Sequence, residues 1–154
     1  MNYKTIESYF MSEEGVQELL DLYTPQFNEV QEIADKLISG QIMTKEEIDL
    51  SLSKITGLYM TLNIVTVIAD TAKKQEEGKR NFQRIQEFET AKKKPVQSAI
   101  DKLVFSDVQY LRRVRNIFQA YRGSAEKGMG SAQSRLSAIK RVNMNNAPEI
   151  QSEE

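Results

Sequence analysis

Histidine and cysteine are absent from this 154-residue chain, and it holds only three prolines and seven glycines. Without histidine and cysteine there is no Ser-His-Asp or Cys-His nucleophile, no zinc or iron–sulfur ligand set and no disulfide. A metal would have to sit on carboxylates alone, which suits magnesium or calcium, but no Asp-x-Asp-x-Asp-Gly loop occurs. The phosphate-cradling patterns Gly-x-x-x-x-Gly-Lys-Ser/Thr and Gly-x-Gly-x-x-Gly after a strand are missing too. No enzyme and no cofactor are therefore expected. Long apolar runs are also lacking. The longest, Ile64 to Ala69, is interrupted by Thr66, far short of the roughly 20 residues that span a bilayer. Met1-Asn2-Tyr3-Lys4-Thr5-Ile6-Glu7 does not open like a signal peptide. The expectation is a soluble, cytoplasmic protein.

What the chain does have is charge sorted by position. Residues 1–72 carry four basic and twelve acidic residues, a net of −8, while residues 73–142 carry seventeen basic and seven acidic, a net of +10. Glu149, Glu153 and Glu154 bring the total to −1. A basic segment of this kind attracts polyanions, nucleic acid above all. The plainer reading is that the acidic part, or that of a neighbouring subunit, neutralises it.

Helical punctuation runs through the chain. Ser12 can cap a short helix burying Val16, Leu19, Leu20 and Tyr23. Thr24-Pro25 reads as a fresh N-cap with proline at the first helical position, followed by apolar residues from Phe27 to Ile38 and a left-handed stop at Gly40. Thr44-x-x-Glu47 is a capping box before a run with Ile48, Ile55, Leu62, Val65 and Ile68 on one face. Its β-branched centre, Ile64–Ile68, would suit a strand in isolation, but the long helical flanks outweigh one strand without a partner. The pattern continues through Phe82 and Phe88, both expected in the core, to a break at Lys94-Pro95.

From Val96 to Val142 apolar residues recur at three- and four-residue steps, predicting one long helix, bent or frayed near 123–130. The small residues of 124–138 suit close packing against another subunit, or else a glycine-weakened helix end. The expected fold is all-α, a long-helix bundle with an extended C-terminal helical hairpin, oligomeric. Its parts are an acidic helical region (1–72), a basic helical hairpin (73–142) and a disordered acidic tail (143–154).

Three basic groups stand out: Lys73, Lys74, Lys79, Arg80 and Arg84; then Lys92, Lys93 and Lys94; then Arg112, Arg113, Arg115 and Arg122. Within the last group, positions 112, 115 and 122 share a helical face. A hairpin across Pro95 is expected to gather all three at one end of the molecule. Guanidinium and ammonium groups would meet phosphates there, independently of sequence and sensitively to salt. Tyr110, off the apolar stripe, is the aromatic expected to stack on a base.

The stretch 73–142 resembles the UvsY-type recombination mediators of tailed phages. The residues that carry the likeness are Lys79-Arg80-x-Phe82 leading to Lys92-Lys93-Lys94, then Asp107-x-x-Tyr110-Leu111, then Ser134-Arg135-Leu136-Ser137-Ala138-Ile139-Lys140. The resemblance implies a non-enzymatic homo-oligomer that binds single-stranded DNA in a phage-infected cell. It would help load a recombinase as a single-strand-binding protein is displaced, with the acidic 1–72 region contacting protein. Two other classes remain open. One is a helical phage structural or assembly protein whose acidic and basic parts pair between subunits, and the other is an adaptor with no nucleic-acid role.

Overall fold

A computed structural model describes residues 3–145, and among them are five helices and no strand: α1 (Tyr3–Tyr9), α2 (Glu13–Ile38), α3 (Lys45–Thr90), α4 (Gln97–Asp107) and α5 (Gln109–Asn145). The all-helical expectation holds, including for Ile64–Ile68. Thr66 is buried there, and its hydroxyl donates to the Leu62 carbonyl at 2.7 Å, which removes the cost of an unpaired polar group.

The expected caps start α2 and α3. Ser12 Oγ accepts from the Gly15 amide at 3.0 Å, and Glu13 and Glu14 complement the positive end of the helix dipole. Thr44 and Glu47 form the reciprocal box, with the Thr44 amide donating to Glu47 Oε2 at 2.7 Å and the Glu47 amide to Thr44 Oγ1 at 3.2 Å. Gly40 adopts φ +74°, the left-handed conformation that ends α2.

Thr24-Pro25 does not start a helix. Pro25 lies inside α2, which is continuous from Glu13 to Ile38. An interior proline costs about 3 kcal/mol. Against that, Val16, Leu19, Tyr23, Phe27 and Val30 are buried on one face spanning the proline, each worth roughly 1.5–3 kcal/mol. Burial wins. Pro25 itself points to solvent, and the Thr24 hydroxyl bonds back to the Leu20 carbonyl at 3.0 Å. The seven-residue α1, too short to show a period, folds back on α2 and buries Ile6, with Phe10 just beyond it. A Cβ at Gly15 would stand 2.6 Å from the Tyr9 carbonyl oxygen, so only glycine admits this turn.

α2, α3 and α5 share one core. Contacts fix their directions: Tyr23 meets Phe118 and Phe27 meets Tyr121, so α2 and α5 run parallel. α3 runs against α5, since Arg122 bonds to Asn63 and Arg112 to Glu77. Of the small residues in 124–138, Ala125, Gly128 and Ala132 pack within the chain, which corrects the reading of a weakened helix end. Ala125 and Ala132 are fully buried. A Cβ at Gly128 would lie 2.6 Å from Ile55 Cδ1 and 3.3 Å from Ala34 Cα, so this glycine sets the closest approach of α5 to both neighbours. The helix passes unbroken through 123–130.

The interruption falls instead at Val108 (φ −110°, ψ 16°), beside Asp107, whose carboxylate is drawn onto Arg84. Serine, aspartate and valine at 106–108 are all weak helix formers, so little opposes the break.

Past residue 77 the core thins. α4 buries only Ile100 and Val104 against the end of α3, and Phe82, Val96 and Phe105 stay exposed. Phe82 is thus not the core residue expected, being 63% exposed, and Phe88 is half-buried. In the turn Lys92 takes φ +53°, and the Lys93 amide reaches back to the Phe88 carbonyl at 2.9 Å, closing a Schellman motif. α3 also contains an 18-residue window of mean hydropathy 1.4, long and apolar enough by length and composition to cross a membrane, of which 33% is buried here. Residues 146–154, most of the expected tail, lie outside the described residues, while α5 continues to Asn145.

Candidate nucleic-acid interface

The basic residues of 73–142 fall on the end of α3, the turn around Pro95, and α4 and α5. Lys92, Lys93 and Lys94 are exposed at that turn. The three groups do not gather at one end. Asn63, opposite Arg122, is 29 positions before Lys92 on the α3 side, so the charges are strung over about 40 Å at 1.5 Å per residue.

The first group is paired throughout. Lys73 reaches Asp70 at 3.5 Å and Glu77 at 3.9 Å, and Lys74 reaches Asp70 at 2.7 Å. Lys79 and Arg80 share Glu76 at 3.7 and 2.8 Å. Arg84 grips Asp107 with two parallel bonds of 3.0 and 2.8 Å and holds Glu87 at 2.8 Å. The bond to Arg84 holds the Asp107 carboxyl below its ordinary range, and Asp107 followed by Glu87 pushes the Arg84 guanidinium up. Hydrogen bonding to Lys74 lowers Asp70 in the same way.

The third group divides. Arg112 pairs with Glu77 and lies over the Phe105 ring, 4.3 Å from its centroid. Arg115 bonds to Gln119 at 3.1 Å, and Arg122 to Asn63 at 3.1 Å, so the shared face expected of 112, 115 and 122 is the flank turned toward α3. Arg115, Gln119 and Arg122 line a shallow groove with Val67, Asp70 and Lys74. Arg113, on the far side, is exposed. Tyr110 is not off the stripe. It is half-buried against the core, and burial pushes its hydroxyl pKa up, so its ring is not a free stacking platform.

Six of the seventeen basic residues in 73–142 therefore have a carboxylate partner, leaving eleven without one among the described residues. Their partners come almost wholly from within 73–142. Asp70 is the one acidic residue of 1–72 in an ion pair with this segment among the described residues.

Sequence reading missed the work of Arg135 and Ser131. Arg135 donates to the carbonyls of Leu37 (3.2 Å) and Gln41, and Ser131 Oγ to Leu37 at 2.6 Å, so α5 caps the C-terminus of α2. A partner ninety-odd positions away leaves no local signal. Among the other residues that carry the phage-mediator likeness, Asp107 fixes Arg84, while Leu111, Leu136 and Ile139 pack on the core as their place on the apolar stripe led one to expect. No protein-family model matches the chain, and no curated protein and no solved structure matches it either.

Proposed function

We propose that this protein is a non-enzymatic single-stranded-DNA-binding accessory protein of phage recombination, of the mediator type, working in the cytoplasm of the infected cell. In this reading it is an oligomeric long-helix bundle whose C-terminal helical hairpin carries DNA along its basic edge. It helps a recombinase to replace a single-strand-binding protein, with no cofactor. The observation that carries the reading is the set of eleven basic residues left without carboxylates. The exposed lysines at 92–94 and the Arg113 and Arg115 side chains are its best contacts, since phosphate binding needs cations that are not already neutralised.

Anisotropy of a labelled oligonucleotide at several salt concentrations tests it. Counterion release gives a slope of about −0.7 per phosphate neutralised on a single strand. Replacing Lys92, Lys93, Lys94, Arg113 and Arg115 by alanine should flatten the slope by up to about 3.5 and weaken binding, without loss of helix. No binding by the wild type at low salt would end this reading. The charge sorting itself supports a second one, an assembly protein whose acidic and basic parts pair between subunits. The same substitutions would then weaken self-association and leave DNA affinity untouched.

A further inference from the structure

Phe105 is an aromatic ring that folding leaves open. It is 53% exposed, and the Arg112 guanidinium lies over its ring, 4.3 Å from the centroid. Glu77 holds Arg112 in turn, so this stack ties α3, α5 and α4 together and fixes the plane of the ring. The cation covers one face and leaves the other open. The ring belongs to no apolar patch. On its own side of α4, at steps of three, four and seven residues, come Lys102, Asp101 and Ser98, all exposed. Leu103, the nearest exposed apolar residue along the chain, lies about 200° away around the helix. Such a surface suits one planar group rather than the broad apolar face of a protein partner.

Cations lie on both sides of that ring. Lys92, Lys93 and Lys94 precede α4, and Phe105 stands about 12 Å along it from Gln97. On α5, Arg115 and Arg122 share the helical face of Arg112 and bond only to the neutral Gln119 and Asn63. The nearby carboxylates are engaged: Asp101 accepts from Gln97 at 2.8 Å, Glu77 holds Arg112, and Asp70, in the groove of Arg115 and Arg122, is held by Lys73 and Lys74. A planar apolar group set between two anionic stretches is what an unpaired nucleotide offers. We propose that Phe105 is a base-stacking platform. A nucleobase of single-stranded DNA lies on the open face of the ring, and its backbone is carried by Lys92–Lys94 on one side and by Arg115 with Arg122 on the other. Tyr110 is half-buried and does not take this place. Phe82 does not take it either. It is two positions, hence about 200°, from Arg84, which faces α4 through Asp107, so Phe82 lies on the back of α3. The inference rests on the proposed single-strand binding and adds the residue that meets a base rather than a phosphate.

Phe105→Ala, at an exposed position and with a better helix former, should keep the circular dichroism of the wild type. Its affinity for a thymidine oligonucleotide should fall about 5- to 150-fold. The slope of log affinity against log salt should stay as in the wild type, because no cation is removed. On an abasic oligonucleotide of the same length, which keeps every phosphate, the variant and the wild type should bind alike. The chain has no tryptophan, so Phe105→Trp gives a single reporter. It should bind the thymidine strand as the wild type does, with its fluorescence quenched by the stacked base. Equal affinity of Phe105→Ala and wild type for the thymidine strand would overturn the inference, as would an unquenched Phe105→Trp complex. A penalty that persists on the abasic strand, or a flattened salt slope, would also overturn it, since the ring would then only position Arg112. Wild type that binds neither strand at low salt removes the nucleic-acid reading and this inference together. Wild type that binds while Phe105→Ala binds equally well removes this inference alone.

Discussion

Three glycines of α5 should respond to alanine in opposite directions. Gly123 and Gly130 face open space, with nothing within 4 Å of an added Cβ. Alanine there gains helix propensity alone, about 1 kcal/mol each, or about 3 °C in Tm for a chain of this size. At Gly128 the same gain meets an obstacle. The new methyl would sit 2.6 Å from Ile55 Cδ1 and 3.3 Å from Ala34 Cα, and Ile55 is fully buried. Ordinary carbon contacts are about 3.5–4.0 Å, so the isoleucine methyl must move about 1 Å inside a close-packed interior. Overpacking of that kind costs about 1–3 kcal/mol. Gly128→Ala should therefore lose up to about 2 kcal/mol net, while its two neighbours gain. Urea unfolding followed at 222 nm, at one fixed protein concentration, reads all three. The diagnosis is sharpened by Ile55→Val, which removes the clashing Cδ1. Alone it should cost about 0.5–1.5 kcal/mol, but combined with Gly128→Ala the losses should fail to add, with a favourable coupling of about 1 kcal/mol. If Gly128→Ala stabilises as much as Gly123→Ala, the close approach of α5 to α2 and α3 is not there.

Two further outcomes can be checked. Lys92 holds a left-handed conformation that glycine adopts freely, so Lys92→Gly should stabilise the turn by about 1 kcal/mol, seen as a rise in Tm; a fall would contradict the Schellman geometry. Asp107 has its folded pKa lowered by Arg84, so its contribution is complete above the unfolded carboxyl value of about 3.9 and disappears as pH falls through the lower folded value. Stability measured between pH 6 and pH 2 should accordingly drop less in Asp107→Asn than in the wild type, and equal slopes would remove the ion pair from the account.

Local signals were legible in sequence and distant ones were not. The capping box at Thr44, the stop at Gly40 and the turn before Pro95 each depend on neighbours within a few positions, and each appears where expected. Thr24-Pro25 carries an equally good local signal and misleads, because apolar residues on both sides of it share one face and override it. Periodicity showed that 124–138 has a face, but not that the face belongs to α2 and α3 of the same chain. Among the candidate contacts, the bare count of positive charge could not tell Arg84, bound on two sides, from Arg113, which stands free in solvent. That distinction needs the third dimension.

The thin packing beyond residue 77 sets how the molecule opens. α3 is a single rod with two tenancies: its first part is gripped by α2 and α5, its last by α4, through Ile100, Val104 and the Arg84–Asp107 pair. Opening free energies follow buried contacts, so the segment from about 78 to 107 forms the weaker cooperative unit. Its amides should exchange with solvent by detaching α4 while those of residues 48–69 wait for the whole chain to unfold. The lysines at 92–94 therefore ride on the part of the protein that rearranges at least expense, able to follow a flexible ligand while the rest of the fold stays shut.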